Sequence, residues 1–363
     1  VQTEDQARRE AGPDVGETLA AGARFMTDLS RAMVALALAL GDRLDLLAVL
    51  ADGEPRDAGQ LARESEVDAR YALEWARTLT AAGYLEASPA GFRLRPAFAA
   101  VLGDRESPFY VGGIARLLPP LAAMVPAVER GFRTGRGLTP ADYPDAMYEA
   151  NWLMSEKWLE AMLLDQWIPL VPGLGQALEA GGRVAHLACG SGAAPALVAG
   201  RYAGVRAEGY DRHQLNVDRA RREAASRGVE DRVRIELVAE FADGLAGPYD
   251  LVLAFDSLHL AADPAGVLRR IAETLAPTGV FLLLETNCSA DPAENVGEVA
   301  AFLYGTSTLY SVPLTRNGPV AAGMLGLPRP ELTRLCANAG LAAPRELVSP
   351  TPFNVLYEIR RAG

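Results

Sequence analysis

The sequence predicts an α/β protein of two domains, a parallel sheet wound with helices behind a mainly helical amino-terminal domain. Three observations carry this expectation. From Gly181 onward short apolar runs alternate with helical ones. A loop rich in small residues, Ala188-Cys189-Gly190-Ser191-Gly192, follows the first of these runs and precedes a helix. Before residue 108 the apolar residues recur at helical spacing and include one short hairpin pattern. A chain of 363 residues is long enough for two such domains, and 50% hydrophobic with 22% charged residues is ordinary for a globular protein.

Residues 1–16 are polar, charged and without periodicity, and are expected to form a mobile tail. Glu17 to Leu50 is dominated by Ala and Leu at helical spacing, a wide apolar stripe that must be buried, for which a second copy of the chain is a candidate. A short helix over Ala58 to Glu64 is followed by a turn. Asp68 then offers an N-cap to a helix carrying Tyr71, Leu73, Trp75 and Leu79, and Gly83 stops it. Tyr84 to Glu86 and Phe92 to Arg95, joined through Ser88-Pro89-Ala90-Gly91, read as a hairpin. Helix, turn, helix and wing make a winged-helix module ending near residue 107. Its second helix sets Arg70 and Arg77 against Glu74, so it lacks the cationic face that enters a major groove, and it is expected to serve packing or dimerisation.

Residues 108–176 mix Pro and Gly with helical patches rich in Met, Trp and Tyr, a helical connector and lid. Within it Tyr148, Trp152 and Met154 either line a pocket for an apolar or aromatic molecule or pack helices, while Trp158 and Trp167 are assigned to packing. The domain from 177 to 363 has expected strands at Arg183 to Ala188, Arg206 to Tyr210, Val233 to Val238, Tyr249 to Phe255 and Gly279 to Glu285.

A net charge of −11 works against any polyanionic partner, so nucleic acid is not an expected ligand. The longest apolar run, Ala32 to Leu40, falls well short of the roughly 20 residues that span a bilayer. The first residues, VQTEDQARRE, have no apolar core of the kind a secretory signal needs. Cys189, Cys288 and Cys336 are widely separated, with no Cys or His at metal-ligand spacing. A cytoplasmic, metal-free protein without a disulfide framework is expected.

In VAHLACGSGAA the loop sits where glycines let a ligand approach backbone amides at a helix start. Asp211 ends the next strand 21 residues beyond Gly190, the spacing of an acid that accepts from ribose hydroxyls. Both features point to a nucleoside ligand. Pro195 stands where a dinucleotide fold has its third glycine, which disfavours a pyrophosphate.

The loop resembles the first motif of class I S-adenosylmethionine-dependent methyltransferases, an acid followed by glycines at alternate positions, which falls here on His186, Ala188, Gly190 and Gly192. ALALGDRLDLLAVLADGEPRDAGQLARESEVDARYALEWARTLTAAGYLE resembles the winged-helix dimerisation domain of two-domain actinobacterial members. FDSLHLAADPAGVLRRIAETLAPTGVFLLLE is similar to their fourth and fifth strands, and SPTPFNVLYEIR to their tail. The resemblance implies a Rossmann-like sheet of seven strands with the last antiparallel, S-adenosylmethionine at the strands' carboxyl ends, a homodimer, and methyl transfer to a small, partly apolar metabolite of specialised metabolism.

It also assigns residues. Gly190, Gly192 and Asp211 would frame the cofactor, with His186 and Ala188 as departures that weaken it; His186 serves either there or as a packed strand residue. Asp243 is a partner for the adenine amino group or a turn residue; Asp256 and Ser257 end the fourth strand and face the cofactor or substrate, unless Asp256 is only a cap. His259 either removes the proton of an acceptor hydroxyl or shapes its loop. Phe302 to Leu327 resembles the family's substrate-facing insertion and supplies Tyr304, Tyr310 and Asn317. The altered loop also admits a second function, a non-methylating reaction on the same fold such as cyclisation, decarboxylation or rearrangement. A DNA-binding regulator is a third, disfavoured by the charge.

Overall fold

The computed structural model describes residues 14–107, 109–320 and 322–363. Most of the expected tail lies outside the described residues. Asp14 already belongs to structure: its carboxylate accepts from Gly16 N–H and caps helix α1, Val15–Arg43. The chain forms two compact units, one through Pro119 and one from Pro120.

In the first unit α1 precedes helices α2 (Ala58–Glu64) and α3 (Ala69–Ala81) and the hairpin of β1 (Leu85–Ser88) and β2 (Gly91–Leu94). Local chemistry sets these boundaries. Asp57 and Gln60 form a reciprocal capping box on α2, and Asp68 accepts from Arg70 and Tyr71 N–H at the start of α3. Arg56 pairs with Phe92, tying the approach to α2 to the hairpin. Leu47, Leu50, Leu61, Leu79, Leu85 and Leu94 fill the core, and the Trp75 indole donates to Ala37 O at 2.9 Å. Arg70 and Arg77 both face Glu74, the internal charge pairing expected of that helix.

The expected connector is divided between the units rather than standing apart. Its portion from residue 120 contains helices α4 (Val125–Thr134) and α5 (Asp145–Met162). Leu159, Leu163, Trp167 and Ile168 are built into the core under one face of the sheet, because a chain this apolar is stabilised only by burial. The second unit then alternates β3 (Arg183–Leu187), α6 (Ala193–Arg201), β4 (Arg206–Asp211), α7 (Gln214–Ser226), β5 (Val233–Leu237), β6 (Tyr249–Phe255), α8 (Pro264–Thr274) and β7 (Leu275–Thr286). After α9 (Gly297–Thr306) and α10 (Arg329–Asn338) it closes with β8 (Arg345–Thr351) and β9 (Asn354–Ile359).

The seven strands lie in the order β5-β4-β3-β6-β7-β9-β8, with β9 antiparallel to both neighbours and the other ladders parallel. The order reverses at β3, between β4 and β6, the topological switch point where ligands of open α/β sheets bind beyond the strands' carboxyl ends.

Candidate functional site at the carboxyl edge of the sheet

Four strand ends meet at this edge. On β3, His186 pairs in register with Gly209 of β4 and Leu253 of β6, and the small-residue loop follows at once. Ala188, Gly190 and Gly192 have φ of 51°, 55° and 79°. A Cβ on Gly192 would lie 2.5 Å from that of Ala220, so glycine there lets α7 pack against the loop. Gly190 differs: its Cβ direction meets nothing within 4 Å, so its αL backbone borders open space.

Asp211, at the end of β4, is buried and holds this loop. Oδ2 accepts from Gly190 N–H at 2.9 Å, while Oδ1 accepts from His213 N–H at 2.9 Å and Asn216 Nδ2 at 3.0 Å. Burial pushes its carboxyl up, against the pull of these donors and of Arg212. His186 is 3% exposed, its ring lies edge-on to Phe255 at 5.2 Å, and neither ring nitrogen has a partner. Burial drives its pKa down to about 3, so the imidazole is neutral at physiological pH.

On the other side of the switch point, His259 is 1% exposed and its Nδ1 lies 2.5 Å from Glu285 Oε1. Glu285 also accepts from the backbone N–H of His259 and of Thr286. Burial opposes the imidazolium, but the charge and hydrogen bond of Glu285, with Asp256, outweigh it and hold the His259 pKa above its ordinary value. Asp256, at φ 47°, accepts from Asn354 Nδ2 at 2.5 Å; burial and then the Glu285 charge push its carboxyl up to about 7.

Among the described residues, six of the eight buried side-chain polar atoms that lack a hydrogen-bond partner lie at this edge, Ser65 Oγ and Ser311 Oγ being the others. The six are both nitrogens of His186, Arg212 Nε, His213 Nδ1, Ser257 Oγ and Thr286 Oγ1, each within two residues of a strand's carboxyl end. Buried polar groups without partners each cost about 1–3 kcal/mol, so their concentration at one edge marks a place prepared for a polar ligand.

Comparisons agree with this geometry. Residues 185–281 match a family model described as a methyltransferase domain. Human N-acetylserotonin methyltransferase in complex with SAM superposes with a TM-score of 0.67 at 16% identity, covering 97% of this chain and 99% of that one. An O-methyltransferase from neocarzinostatin biosynthesis, solved with S-adenosylmethionine and 2-hydroxy-5-methyl naphthoic acid, gives 0.63 at 18% identity, covering 93% and 97%.

The chain has the fold of these methyltransferases. A curated relative, the 27-O-demethylrifamycin SV methyltransferase of Amycolatopsis mediterranei (strain S699), is 35% identical over 133 residues, 34% of this chain and 47% of the relative, so the match spans about half of that protein.

On this methyltransferase fold the residues singled out from sequence separate into groups. His186, Ala188, Gly190, Gly192, Asp211, Asp256 and His259 all lie at the carboxyl edge. Asp243 is exposed in a turn, where its Oδ2 accepts from Glu240 N–H. Tyr148 is buried, donates to Pro140 O at 2.7 Å and stacks on His213 with centroids 4.0 Å apart. Trp152 Nε1 donates to Asn216 Oδ1 at 2.8 Å. The Tyr310 ring lies edge-on to Tyr143 at 5.0 Å, and burial pushes its hydroxyl up to about 12. Tyr304 is 40% exposed. Asn317 is exposed and its carboxamide accepts from Gly137 N–H, fastening residues 137–138 to the 313–317 segment together with Leu138 N–H on Pro313 O.

Sequence reasoning passed over Glu285, Asn216, Arg212 and His213. Glu285 appears in the sequence only as the polar end of an apolar strand; an acid in that position was the available signal. Arg212 and His213 directly follow Asp211, and Arg212 lies over the Phe241 ring at 4.1 Å. Nothing local in the sequence distinguishes Asn216.

Proposed function

We propose that the protein transfers the methyl group of S-adenosylmethionine to an oxygen of a small, partly apolar metabolite in specialised metabolism. The observation that carries this reading is the buried His259–Glu285 pair on the same sheet edge as the glycine loop. The rifamycin and neocarzinostatin enzymes among its relatives support the substrate class. A nucleoside bearing an amino-acid end also suits the partnerless polar atoms at this edge.

In this reading Gly190, Gly192 and Asp211 frame the cofactor, with His186, Ala188, Asp243 and Asp256 around it. Tyr148, Trp152, Tyr304, Tyr310 and Asn317 belong to the acceptor side. The cofactor supplies an electrophilic methyl group on a sulfonium. Glu285 fixes the proton of neutral His259 on Nδ1, which leaves Nε2 as the acceptor for a hydroxyl proton. As the proton arrives, the Glu285 carboxylate stabilises the imidazolium. Residues 17–107 serve as a winged-helix dimerisation domain. Val15, Leu19, Phe25, Met26, Leu29 and Met33 along α1 are exposed, and a second copy of the chain is the partner that covers them.

A second reading, a non-methylating reaction on this fold, is favoured by one observation: a neutral, buried imidazole and an alanine at φ 51° occupy the loop. Calorimetric titration with S-adenosylmethionine and S-adenosylhomocysteine tests both readings, followed by methyl-transfer assays on phenolic acceptors with the wild type and His259→Ala. Binding of both ligands, with turnover that falls at least 100-fold in His259→Ala and loses its pH dependence, is expected. Binding without methyl transfer to any acceptor would favour the second reading, and no binding would remove the first.

A further inference from the structure

A line of hydrogen bonds runs from the glycine loop into α5. Gly190 N–H donates to Asp211 Oδ2, Asn216 Nδ2 donates to Asp211 Oδ1, and Trp152 Nε1 donates to Asn216 Oδ1 at 2.9, 3.0 and 2.8 Å. Asp211 and Asn216 are 5% and 7% exposed, so solvent does not substitute for these partners.

The direction of the line is fixed by chemistry. An indole nitrogen is a donor only, a carboxylate an acceptor only, and a carboxamide has one end of each kind. Trp152 therefore requires the oxygen of Asn216 to face it, which turns the amide NH2 toward Asp211. Were Asn216 to rotate, its oxygen would face a carboxylate and Asp211 would lose a donor. We propose that Asn216 is a positioning residue for the cofactor site, and that Trp152 sets its orientation, so that the glycine loop and the helix over the acceptor side order together.

Other contacts fasten the same two helices. Glu156 and Glu160 of α5 pair with Arg219 of α7 and with Arg227, its C-cap, at 2.8 and 2.5 Å, and Tyr148 stacks on His213, its N-cap. The two ion pairs hold α5 against α7 without reaching Asp211, and His213 reaches it only through its backbone N–H, which Trp152 does not touch. Loss of the Trp152 donor thus leaves the packing in place and removes the orientation alone.

The test uses Trp152→Phe, which keeps an aromatic ring and deletes the N–H, together with Asn216→Leu and the double variant. In the ligand-free protein, exchange of the Gly190 amide should accelerate at least 5-fold in Trp152→Phe and more in Asn216→Leu. This arm stands apart from the proposed function.

The second arm rests on that function and titrates S-adenosylhomocysteine. The dissociation constant should rise about 3-fold in Trp152→Phe and at least 10-fold in Asn216→Leu at pH 7. The acid limb of binding should move to higher pH in both, because Asp211 loses a donor to its ionised form. The double variant should bind no worse than Asn216→Leu, since the two residues act in series. Unchanged Gly190 exchange and an unmoved acid limb in folded Trp152→Phe would overturn the proposal, as would additive losses in the double variant. If wild type fails to bind the probe while Gly190 exchange responds, the functional reading fails and the relay stands. Should Asn216→Leu not fold, Trp152→Phe decides by itself.

Discussion

Two histidines stand on the same edge of one sheet, both nearly inaccessible to solvent, yet their pKa values are shifted in opposite directions. His186 has no polar partner and is pushed down to about 3; His259 is clasped by Glu285 and held above its ordinary value. Burial alone would have made both neutral, so the carboxylate decides. One imidazole has a carboxylate that favours its protonated form, whereas the other stays neutral and can only give or accept a hydrogen bond.

The largest effect on this contrast should come from removing the partner. Glu285→Gln keeps the shape but deletes the charge, so the His259 titration followed by NMR should move down toward that of His186. The raised folded pKa of His259 contributes stability fully present below its unfolded value near 6.5 and lost as pH rises through the folded pKa. The variant should therefore lose about 2 kcal/mol at pH 5.5–6 in urea unfolding, with the gap to wild type narrowing at higher pH. A gap independent of pH would mean that the pair is structural only.

His186 allows the converse experiment. His186→Phe retains an aromatic edge toward Phe255 while removing two buried nitrogens without partners, and should raise unfolding stability by about 1 kcal/mol. The same variant should bind S-adenosylhomocysteine more weakly than wild type, measured by calorimetry. Greater stability with unchanged binding would return His186 to the role of a packed strand residue.

The smallest change concerns the loop that follows the His186 strand. Ala188 holds a left-handed backbone at φ 51°, a conformation that a Cβ disfavours. Ala188→Gly should stabilise the protein by roughly 0.5–1 kcal/mol, less the greater entropy glycine adds to the unfolded chain. Thermal unfolding with and without S-adenosylhomocysteine measures it, and a larger gain with ligand present would show that the alanine methyl group also burdens the site.

Much of this molecule is local, and local features were legible. The capping residues Asp57 and Asp68, the hairpin turn at Ser88 to Gly91 and the strand Tyr249–Phe255 follow from side-chain chemistry and apolar spacing within a few residues. The glycine loop and the acid at Asp211 were visible because their spacing is set along one strand-helix-strand unit. The expected connector fared differently: its apolar helices could be seen, but their division between two units depends on which surfaces they cover.

The sequence by itself determined the alternation of strands and helices, and hence the sheet with its ligand edge and the placement of His186, Asp211 and His259 upon it. Only the tertiary structure decided what those groups are chemically. Glu285 reaches His259 across 26 residues, and Trp152 reaches Asn216 across 64, through strand ends and helix faces that the fold brings together. The physical reason is one of range. Backbone periodicity is written every two or four residues, but desolvation and hydrogen bonding act on whatever side chains arrive at the same buried point, however distant in the chain.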